Sequence, residues 1–249
     1  MTTTTPITLT PRTAIVTGAA SGIGAATVLE LARQGYRTVG IDSNADGAHA
    51  TAIEATKINA LTHTSFRADV ADEAQVIKAF DHALSFLTHL DVLVTSAGVA
   101  DTTPFMDLSV ATFRAVHDIN VIGTFLCIRE AAKRMQRGGR ICTLASVAGL
   151  RGGGLSGTAA YAASKGGLLQ FTRWLSTVLA PDIRVNAITP GGLWREQPEE
   201  FHERYRARTP LQRMGSEEDL KGAAAYLASD LSAYMTGQNL VLDGGFTVW

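Results

Sequence analysis

Short apolar segments alternate with longer amphipathic ones along nearly the whole chain. The short segments predict β-strands, and most are apolar throughout, which is typical of strands covered on both faces. The seven predicted strands are Thr13–Thr17, Thr38–Ile41, Ser65–Arg67, Val92–Thr95, Arg140–Leu144, Arg184–Ile188 and Leu240–Leu242. Segments with apolar residues three or four positions apart predict helices at Ile23–Arg33, Glu73–Phe86, Phe113–Met135 and Tyr161–Leu179.

This alternation predicts the architecture. Repeated β-α units with short connections form right-handed crossovers, so we predict an α/β fold, a single doubly wound Rossmann-type domain with a parallel sheet of about seven strands. The domain is expected to span residues 11–249 after a flexible, Thr-rich tail at 1–10. Because ligands bind at the carboxyl ends of such strands, we expect a cofactor half at about 11–100 and a catalytic and substrate half at about 101–249.

Composition narrows the possible partners. Hydrophobic residues make up 46% of the 249 positions, and the net charge of −1 gives no argument for binding nucleic acid or an anionic membrane surface. No apolar run approaches the roughly 18 residues of a membrane span. Cys127 and Cys142 lack the spacing of metal ligands or of a disulfide framework. We therefore expect inert core cysteines, no metal and a cytoplasmic location.

A glycine-rich turn follows the first predicted strand and opens a helix. It reads Thr17-Gly18-Ala19-Ala20-Ser21-Gly22-Ile23-Gly24. Small residues let a backbone approach a pyrophosphate closely, and the helix N-terminus supplies free N–H groups and a positive dipole end. A plain strand-to-helix turn is the alternative. We assign Gly18, Ser21, Gly22, Ile23 and Gly24 to cofactor binding.

Acidic and small residues end the next three strands. Asp42 is placed where a carboxylate accepts hydrogen bonds from both adenosine ribose hydroxyls, and it would repel the extra phosphate of NADP. The alternative for Asp42 is a solvated loop acid. Asp69 and Val70 follow the third strand, with the Asp placed to reach an adenine amino group. Ala97 and Gly98, after the fourth strand, suit close approach to the cofactor.

Tyr161 and Lys165 lie four residues apart on one predicted helix. A free tyrosine has a pKa of about 10 and is a poor base at neutral pH. An ammonium one helical turn away favours the phenolate, as would the positive nicotinamide of an oxidised cofactor. Tyr161 could then exchange a proton with a substrate oxygen while hydride moves at carbon. A solvated helix face is the alternative for such a pair.

The segment Tyr161-Ala162-Ala163-Ser164-Lys165, with Ser146 after a strand and the glycine-rich turn, resembles the short-chain dehydrogenase/reductases in their single-domain form. The resemblance runs from about Arg12 to the end. Further matching segments are Asn120-Val121-Ile122-Gly123, Arg184-Val185-Asn186-Ala187-Ile188, Pro190-Gly191 and Asp243-Gly244-Gly245.

The resemblance implies roles for individual residues. Lys165 would also hold the nicotinamide ribose, and Ser146 would hydrogen-bond the substrate oxygen and polarise the carbonyl. Asn120 would bend its helix and hold a water that relays protons from Lys165. Tyr161, Lys165, Pro190, Gly191 and Leu193 complete the expected cofactor contacts.

Three positions depart from the family pattern. Ser96 stands where Asn usually begins the fourth-strand motif, and we expect this to cost stability more than catalysis. The segment between Ser146 and Tyr161 is longer than usual and holds a rival substrate contact, Ser156. The run Gly192–Glu196 lacks the Thr that often contacts the nicotinamide amide.

A charged segment after the sixth strand, Trp194–Arg208, predicts a mobile lid over the substrate. A solvated helix face is the simpler interpretation. In the alternative interpretation, Trp194, Arg195 or His202 turns inward and contacts a polar or anionic group of the substrate.

Together these features predict an NAD(H)-dependent oxidoreductase that interconverts a secondary alcohol and a ketone. The alternatives are an NADPH-dependent biosynthetic ketoreductase and a non-catalytic dinucleotide-binding scaffold. By resemblance we expect a homotetramer, or a dimer, assembled through the long helices and the C-terminal segment. Phe246, Val248 and Trp249 would suit that interface.

Overall fold

The structure is a computed structural model that describes residues 11–152 and 158–248. The predicted tail at 1–10, Ser156 and Trp249 lie outside the described residues. Seven parallel strands form one sheet in the order β3-β2-β1-β4-β5-β6-β7, which confirms the predicted fold class. The strands are β1 Thr13–Thr17, β2 Arg37–Asp42, β3 Thr64–Arg67, β4 Val92–Thr95, β5 Gly139–Leu144, β6 Ile183–Pro190 and β7 Asn239–Leu242.

Helices cover both faces of this sheet. They are α1 Gly22–Arg33, α2 Ala45–Asn59, α3 Glu73–Leu87, α4 Val110–His117, α5 Thr124–Ala132, α6 Ala159–Val178, α7 Glu199–Arg206 and α8 Glu217–Ala228. Neighbouring strand residues point to opposite faces, so Ile15 packs in a cluster with residues of α3 and α5, whereas Val16 packs with residues of α1 and α8. This two-sided core explains why the central strands β1 and β4 are buried along their whole length.

The predicted helix Phe113–Met135 is interrupted. It begins earlier, at Val110, and a π-helical turn over Asp118–Gly123 separates α4 from α5. Asn120 lies in that turn with its side chain fully buried. The interruption therefore occurs where the resemblance implied a bend.

No helix among residues 11–152 and 158–248 is long and apolar enough to cross a membrane. Cys127 and Cys142 are both free and buried, and burial raises the pKa of each thiol to about 12. A thiol with so high a pKa stays protonated at neutral pH and is a poor nucleophile.

Candidate active site

A cavity of about 830 Å³ lies at the carboxyl ends of the central strands. Most of the residues that the sequence assigned to a site line it. These are Gly18, Ser21, Ile23, Asp42, Asp69, Val70, Ala97, Gly98, Ser146, Tyr161, Lys165, Pro190, Gly191, Leu193 and Arg195. The described part of the lining does not include Gly22, Gly24, Asn120, Trp194 or His202.

Two glycines of the glycine-rich turn, Gly18 and Gly24, are packed too tightly for a side chain. Gly18 has a φ of +70°, and a Cβ atom there would lie 2.7 Å from the backbone nitrogen of Ala97. A Cβ on Gly24 would lie 1.9 Å from the carbonyl oxygen of Gly18. Ser21 precedes α1 without capping it through its side chain. The turn thus brings bare backbone and the positive end of α1 to the cavity wall, as a pyrophosphate requires.

The Asp42 carboxylate is held at the end of β2 by two backbone amides. Its Oδ2 accepts from Ala20 N–H at 3.0 Å, and its Oδ1 accepts from Asn44 N–H at 2.9 Å. Each oxygen keeps a further lone pair for a ligand. Asp69 is fixed similarly, because its Oδ1 accepts from Ala71 N–H at 2.9 Å. Both carboxylates line the cavity, Asp42 half-buried and Asp69 exposed.

Ser146 and Tyr161 meet because the backbone after β5 packs directly on α6. A Cβ on Gly149 would lie 2.6 Å from the carbonyl carbon of Lys165, so only glycine allows this approach. Ser146 begins the short 3₁₀ turn that contains Gly149, and its Oγ accepts from Ala148 N–H at 3.2 Å. Burial raises the pKa of Tyr161, and a hydrogen bond with Ser146 acts in the opposite direction.

Lys165 lies beneath Tyr161 with its ammonium fully enclosed. Its Nζ donates to the carbonyl oxygen of Leu144 at 2.7 Å and lies 5.7 Å from the centroid of the Tyr161 ring. Burial lowers the pKa of Lys165 to about 8. A Cβ on Gly98 would lie 3.4 Å from the same Nζ, so Lys165 also borders the segment after β4.

Asn120 connects the π-helical turn to the other elements of the site. Its Oδ1 accepts from Val99 N–H at 2.8 Å, and its Nδ2 donates to Val99 O and to Ser164 Oγ, both at 2.9 Å. Ser164 in turn donates to the carbonyl oxygen of Tyr161. Asn120 therefore supports the segment after β4 and the catalytic helix without lining the cavity.

Comparisons with known proteins agree with this geometry. The family model described as enoyl-(acyl carrier protein) reductase matches residues 18–247. The chain is 38% identical to cis-4-hydroxycyclohexanecarboxylate dehydrogenase of Sinomonas cyclohexanicum, over 95% of this chain and 96% of that one. It is 34% identical to 3-oxoacyl-[acyl-carrier-protein] reductase of a Synechocystis strain, over 97% and 99%. The crystal structure of NAD⁺-bound xylitol dehydrogenase matches with a TM-score of 0.88 at 29% identity, over 94% and 98%.

The chain belongs to the short-chain dehydrogenase/reductase family. This confirms the family that Tyr161, Lys165 and the glycine-rich turn indicated. Members of this family are oxidoreductases that bind a nicotinamide dinucleotide. The similarity extends over almost the whole chain and almost the whole length of these relatives.

Two departures from the family pattern have a structural context. At Ser96 the backbone N–H donates to Thr17 O at 3.2 Å, a bond that does not depend on the side chain at this position. The Gly192 N–H, in the run that lacks the family's Thr, donates to the hydroxyl of Tyr205. A Cβ on Gly192 would lie 2.6 Å from the Tyr205 ring. Tyr205 thus fixes the backbone at the start of the run that lacks the threonine.

The segment Trp194–Arg208 is a loop followed by α7. It reaches the cavity through Arg195, Gln197, Phe201 and Tyr205. His202 is buried, and its Nε2 is 2.9 Å from Gln197 Oε1, which also accepts from Arg195 N–H. Trp194 is 60% exposed and packs against His202. Sequence reasoning missed Gln197, Phe201 and Tyr205, although Phe201 and Tyr205 are four residues apart and share a helix face.

The C-terminal segment differs from the expectation for an interface. Phe246 stacks on Tyr205 with ring centroids 4.5 Å apart, and Arg151 lies over its other face. Phe246 is therefore buried within its own chain, which corrects its assignment to an intersubunit surface. Val248 is exposed.

Proposed function

We propose that the protein is an NAD(H)-dependent oxidoreductase that interconverts a secondary alcohol and a ketone. The observation that carries this proposal is the convergence of Ser146, Tyr161 and Lys165 on the same cavity as the glycine-rich turn and Asp42. A non-catalytic dinucleotide-binding scaffold would need the turn and the acid. Such a scaffold would have no use for a buried lysine and a serine that both lie close to a tyrosine.

The residues divide the chemistry between them. A bound nicotinamide would accept or supply the hydride. Tyr161 exchanges a proton with the substrate oxygen, and Ser146 donates a hydrogen bond to that oxygen. Lys165 holds the nicotinamide ribose and favours the phenolate of Tyr161 electrostatically. Asn120 fixes the segment after β4 and holds a water that relays protons from Lys165.

Asp42 supports NAD over NADP. Its carboxylate is fixed by Ala20 and Asn44 at the cavity wall, where it can accept from ribose hydroxyls and would repel a 2′-phosphate. The NAD⁺-bound xylitol dehydrogenase is a structural relative in keeping with this choice. The second candidate, an NADPH-dependent ketoreductase, is favoured by the similarity to 3-oxoacyl-[acyl-carrier-protein] reductase.

The substrate is expected to be a small polar or cyclic alcohol or ketone, in keeping with the similarity to a hydroxycyclohexanecarboxylate dehydrogenase. Phe201 and Tyr205 form one wall of the cavity, and Val147 lies beside Ser146. Trp194 and His202 act through the fold of their loop, while the proposed contact from Ser156 lies outside the described residues. The segment 194–208 closes over the bound substrate as a lid.

The protein is further expected to form homotetramers or dimers. Apolar side chains remain exposed on the long helices, among them Phe125 on α5 and Trp174 and Val178 on α6. Contiguous exposed apolar surface commonly marks an interface. Sedimentation equilibrium would show a multiple of the chain mass, and a monomer at micromolar concentration would contradict the proposal.

The deciding experiment measures reduction of a panel of ketones with NADH and with NADPH. We expect a higher kcat/KM with NADH and a reversed or abolished preference in Asp42→Ala. A carboxylate hydrogen-bonded to ribose hydroxyls contributes about 1.5–3 kcal/mol. Asp46→Ala, an exposed acid in the first turn of α2, is the control and should leave the ratio unchanged. A wild-type preference for NADPH would establish the second candidate.

A further inference from the structure

The side chain of Arg195 lies beside the glycine-rich turn. A Cβ on Gly22, the first residue of α1, would lie 3.6 Å from Nη2 of Arg195 and 3.7 Å from Oε1 of Glu217. The sequence had suggested Arg195 as a contact for a polar or anionic substrate. The structure places its guanidinium at the cofactor end of the cavity.

Two acceptors hold the guanidinium in this position. Nη2 donates to Oε1 of Glu217 at 2.5 Å, and Nη1 donates to the carbonyl oxygen of Trp194 at 2.7 Å. The pair is solvent-accessible, with the Arg195 side chain 47% exposed. An exposed ion pair contributes little to stability, so the partner of Arg195 can be exchanged at small cost.

The charges along the cavity favour such an exchange. Among the described residues that line it, the charged ones are Asp42, Asp69, Lys165 and Arg195. Lys165 is enclosed beneath Tyr161 and donates to Leu144 O, at the catalytic end. Arg195 is therefore the one described cation of the lining placed at the glycine-rich turn, where a dinucleotide carries its two pyrophosphate charges.

We propose that Arg195 binds the pyrophosphate of the cofactor and that Glu217 competes for the guanidinium until the cofactor arrives. The proposal rests on the proposed dinucleotide-dependent function and adds a residue to it. Arg195 changes partner from a carboxylate to a phosphate oxygen, a geometry to which a guanidinium is well suited. Glu217, the first residue of α8, keeps a favourable position at the positive end of that helix.

The test is calorimetric binding of ADP and of adenosine, which differ in the pyrophosphate, to the wild type and to Arg195→Gln. We expect ADP and NADH to bind about tenfold more weakly to the variant, and adenosine to bind equally well to both proteins. Arg213→Gln is the matched control. Arg213 is also an exposed arginine paired with an acid of α8, Asp219, but it does not line this cavity.

A second variant tests the role of Glu217. Glu217→Gln removes the competing carboxylate, so ADP should bind a few-fold more tightly. That gain should disappear in the double variant Arg195→Gln/Glu217→Gln, because the two effects are coupled.

Three outcomes would overturn the proposal. The first is an unchanged ADP affinity in Arg195→Gln, with or without a raised substrate KM. The second is an equal loss of affinity for ADP and for adenosine. The third is a loss of affinity confined to NADPH, which would assign Arg195 to the 2′-phosphate. If the wild type binds neither ADP nor NADH, the proposed function fails with it. Normal wild-type binding with an unaffected variant would reject the role of Arg195 alone.

Discussion

Tyr161 and Lys165 lie in surroundings that disfavour charge on both side chains. Burial raises the pKa of Tyr161 above its usual value and lowers that of Lys165 to about 8. The sequence places Lys165 four residues after Tyr161, so their proximity could be predicted. The extent of their desolvation could not, because it depends on the residues that the fold packs around the pair. The hydrogen bond from Ser146 alone does not outweigh burial of the tyrosine. A further positive charge is needed to favour the phenolate, and an oxidised nicotinamide would provide it.

This balance predicts opposite pH profiles for the two directions of reaction. Alcohol oxidation needs the phenolate of Tyr161, so its kcat/KM should increase as pH rises through the apparent pKa of the cofactor-bound enzyme. Ketone reduction needs the phenol and should lose rate over the same range. The apparent pKa belongs to the coupled Tyr161, Lys165 and cofactor system. Lys165→Met should raise it and weaken ribose binding.

The measurement is kcat/KM against pH in both directions, with a deuteride isotope effect to show that chemistry limits the rate. Identical flat profiles would remove Tyr161 from the acid/base role.

Substitution of the phenol itself separates chemistry from binding. Tyr161→Phe should lose more than about 99% of turnover, because general acid-base catalysis contributes roughly 10²–10⁴-fold. NADH affinity should stay within a few-fold, since the hydroxyl does not hold the dinucleotide. Tyr226→Phe, in a half-exposed tyrosine of α8, is the control and should keep full activity. A Tyr161→Phe variant that retains a tenth of the rate would contradict the assignment.

At the scale of elements, the sequence predicted all seven strands but only some helices. Most of the strands are short apolar runs, for which the length favours a strand over a helix. By contrast, α2 buries mainly small side chains, Ala48, Thr51, Ala52 and Ala55, which leave a weak periodic pattern. The π-helical turn at Asp118–Gly123 leaves no signal in the apolar periodicity, and within it Asn120 makes a tertiary contact with Val99. The face of α7 that lines the cavity was obscured by its charged residues.

The π-helical turn should depend on the Asn120 amide. Asn120 is fully buried, and its replacement by Ala removes the hydrogen bonds to the Val99 N–H and C=O, which should cost about 1–3 kcal/mol of unfolding free energy. Activity should fall as well, since Ser164 and the catalytic helix lose the same contact. Asp118→Ala, an exposed position in the same turn, should change neither property appreciably. Urea unfolding monitored by circular dichroism would measure the stability of the two variants, and a turnover assay would measure their activity. Equal effects of the two substitutions would contradict a specific role for Asn120.

At the scale of the whole molecule, the site depends on contacts between elements distant in sequence. The close approach of Gly149 to Lys165 joins the end of β5 to α6. The contact between Tyr205 and Gly192 joins α7 to the end of β6. Motifs identified the groups that end strands or begin helices, including Gly18, Asp42 and Ser146. The positions of Arg195 and Tyr205 follow from how loops fold across the cavity, which local pattern does not determine.

The stability of the whole fold should depend on pH through His63, a buried histidine between α2 and β2. Its Nδ1 accepts from Thr38 N–H at 3.2 Å and lies 2.7 Å from Thr38 Oγ1, and its Nε2 lies 2.9 Å from Asn59 Oδ1. These partners fit a neutral ring with its proton on Nε2. Burial, assisted by the nearby charge of Arg37, lowers the pKa of His63 to about 4 from the usual 6.5.

Between those two pH values the unfolded chain binds one proton more than the native protein, so lowering the pH favours unfolding. The contribution is fully present above pH 6.5 and is lost progressively down to about pH 4. It amounts to about 2 kcal/mol between pH 7 and pH 5. Carboxylates whose pKa is lowered, such as Glu130 with a pKa of about 2, lose their stabilising effect mainly below pH 4.5.

Urea unfolding at pH 7 and pH 5 should therefore show this loss of unfolding free energy in the wild type and little of it in His63→Gln. His49→Gln, in an exposed histidine of α2, should keep the wild-type slope. An unchanged slope in His63→Gln would show that other groups bind the proton on unfolding.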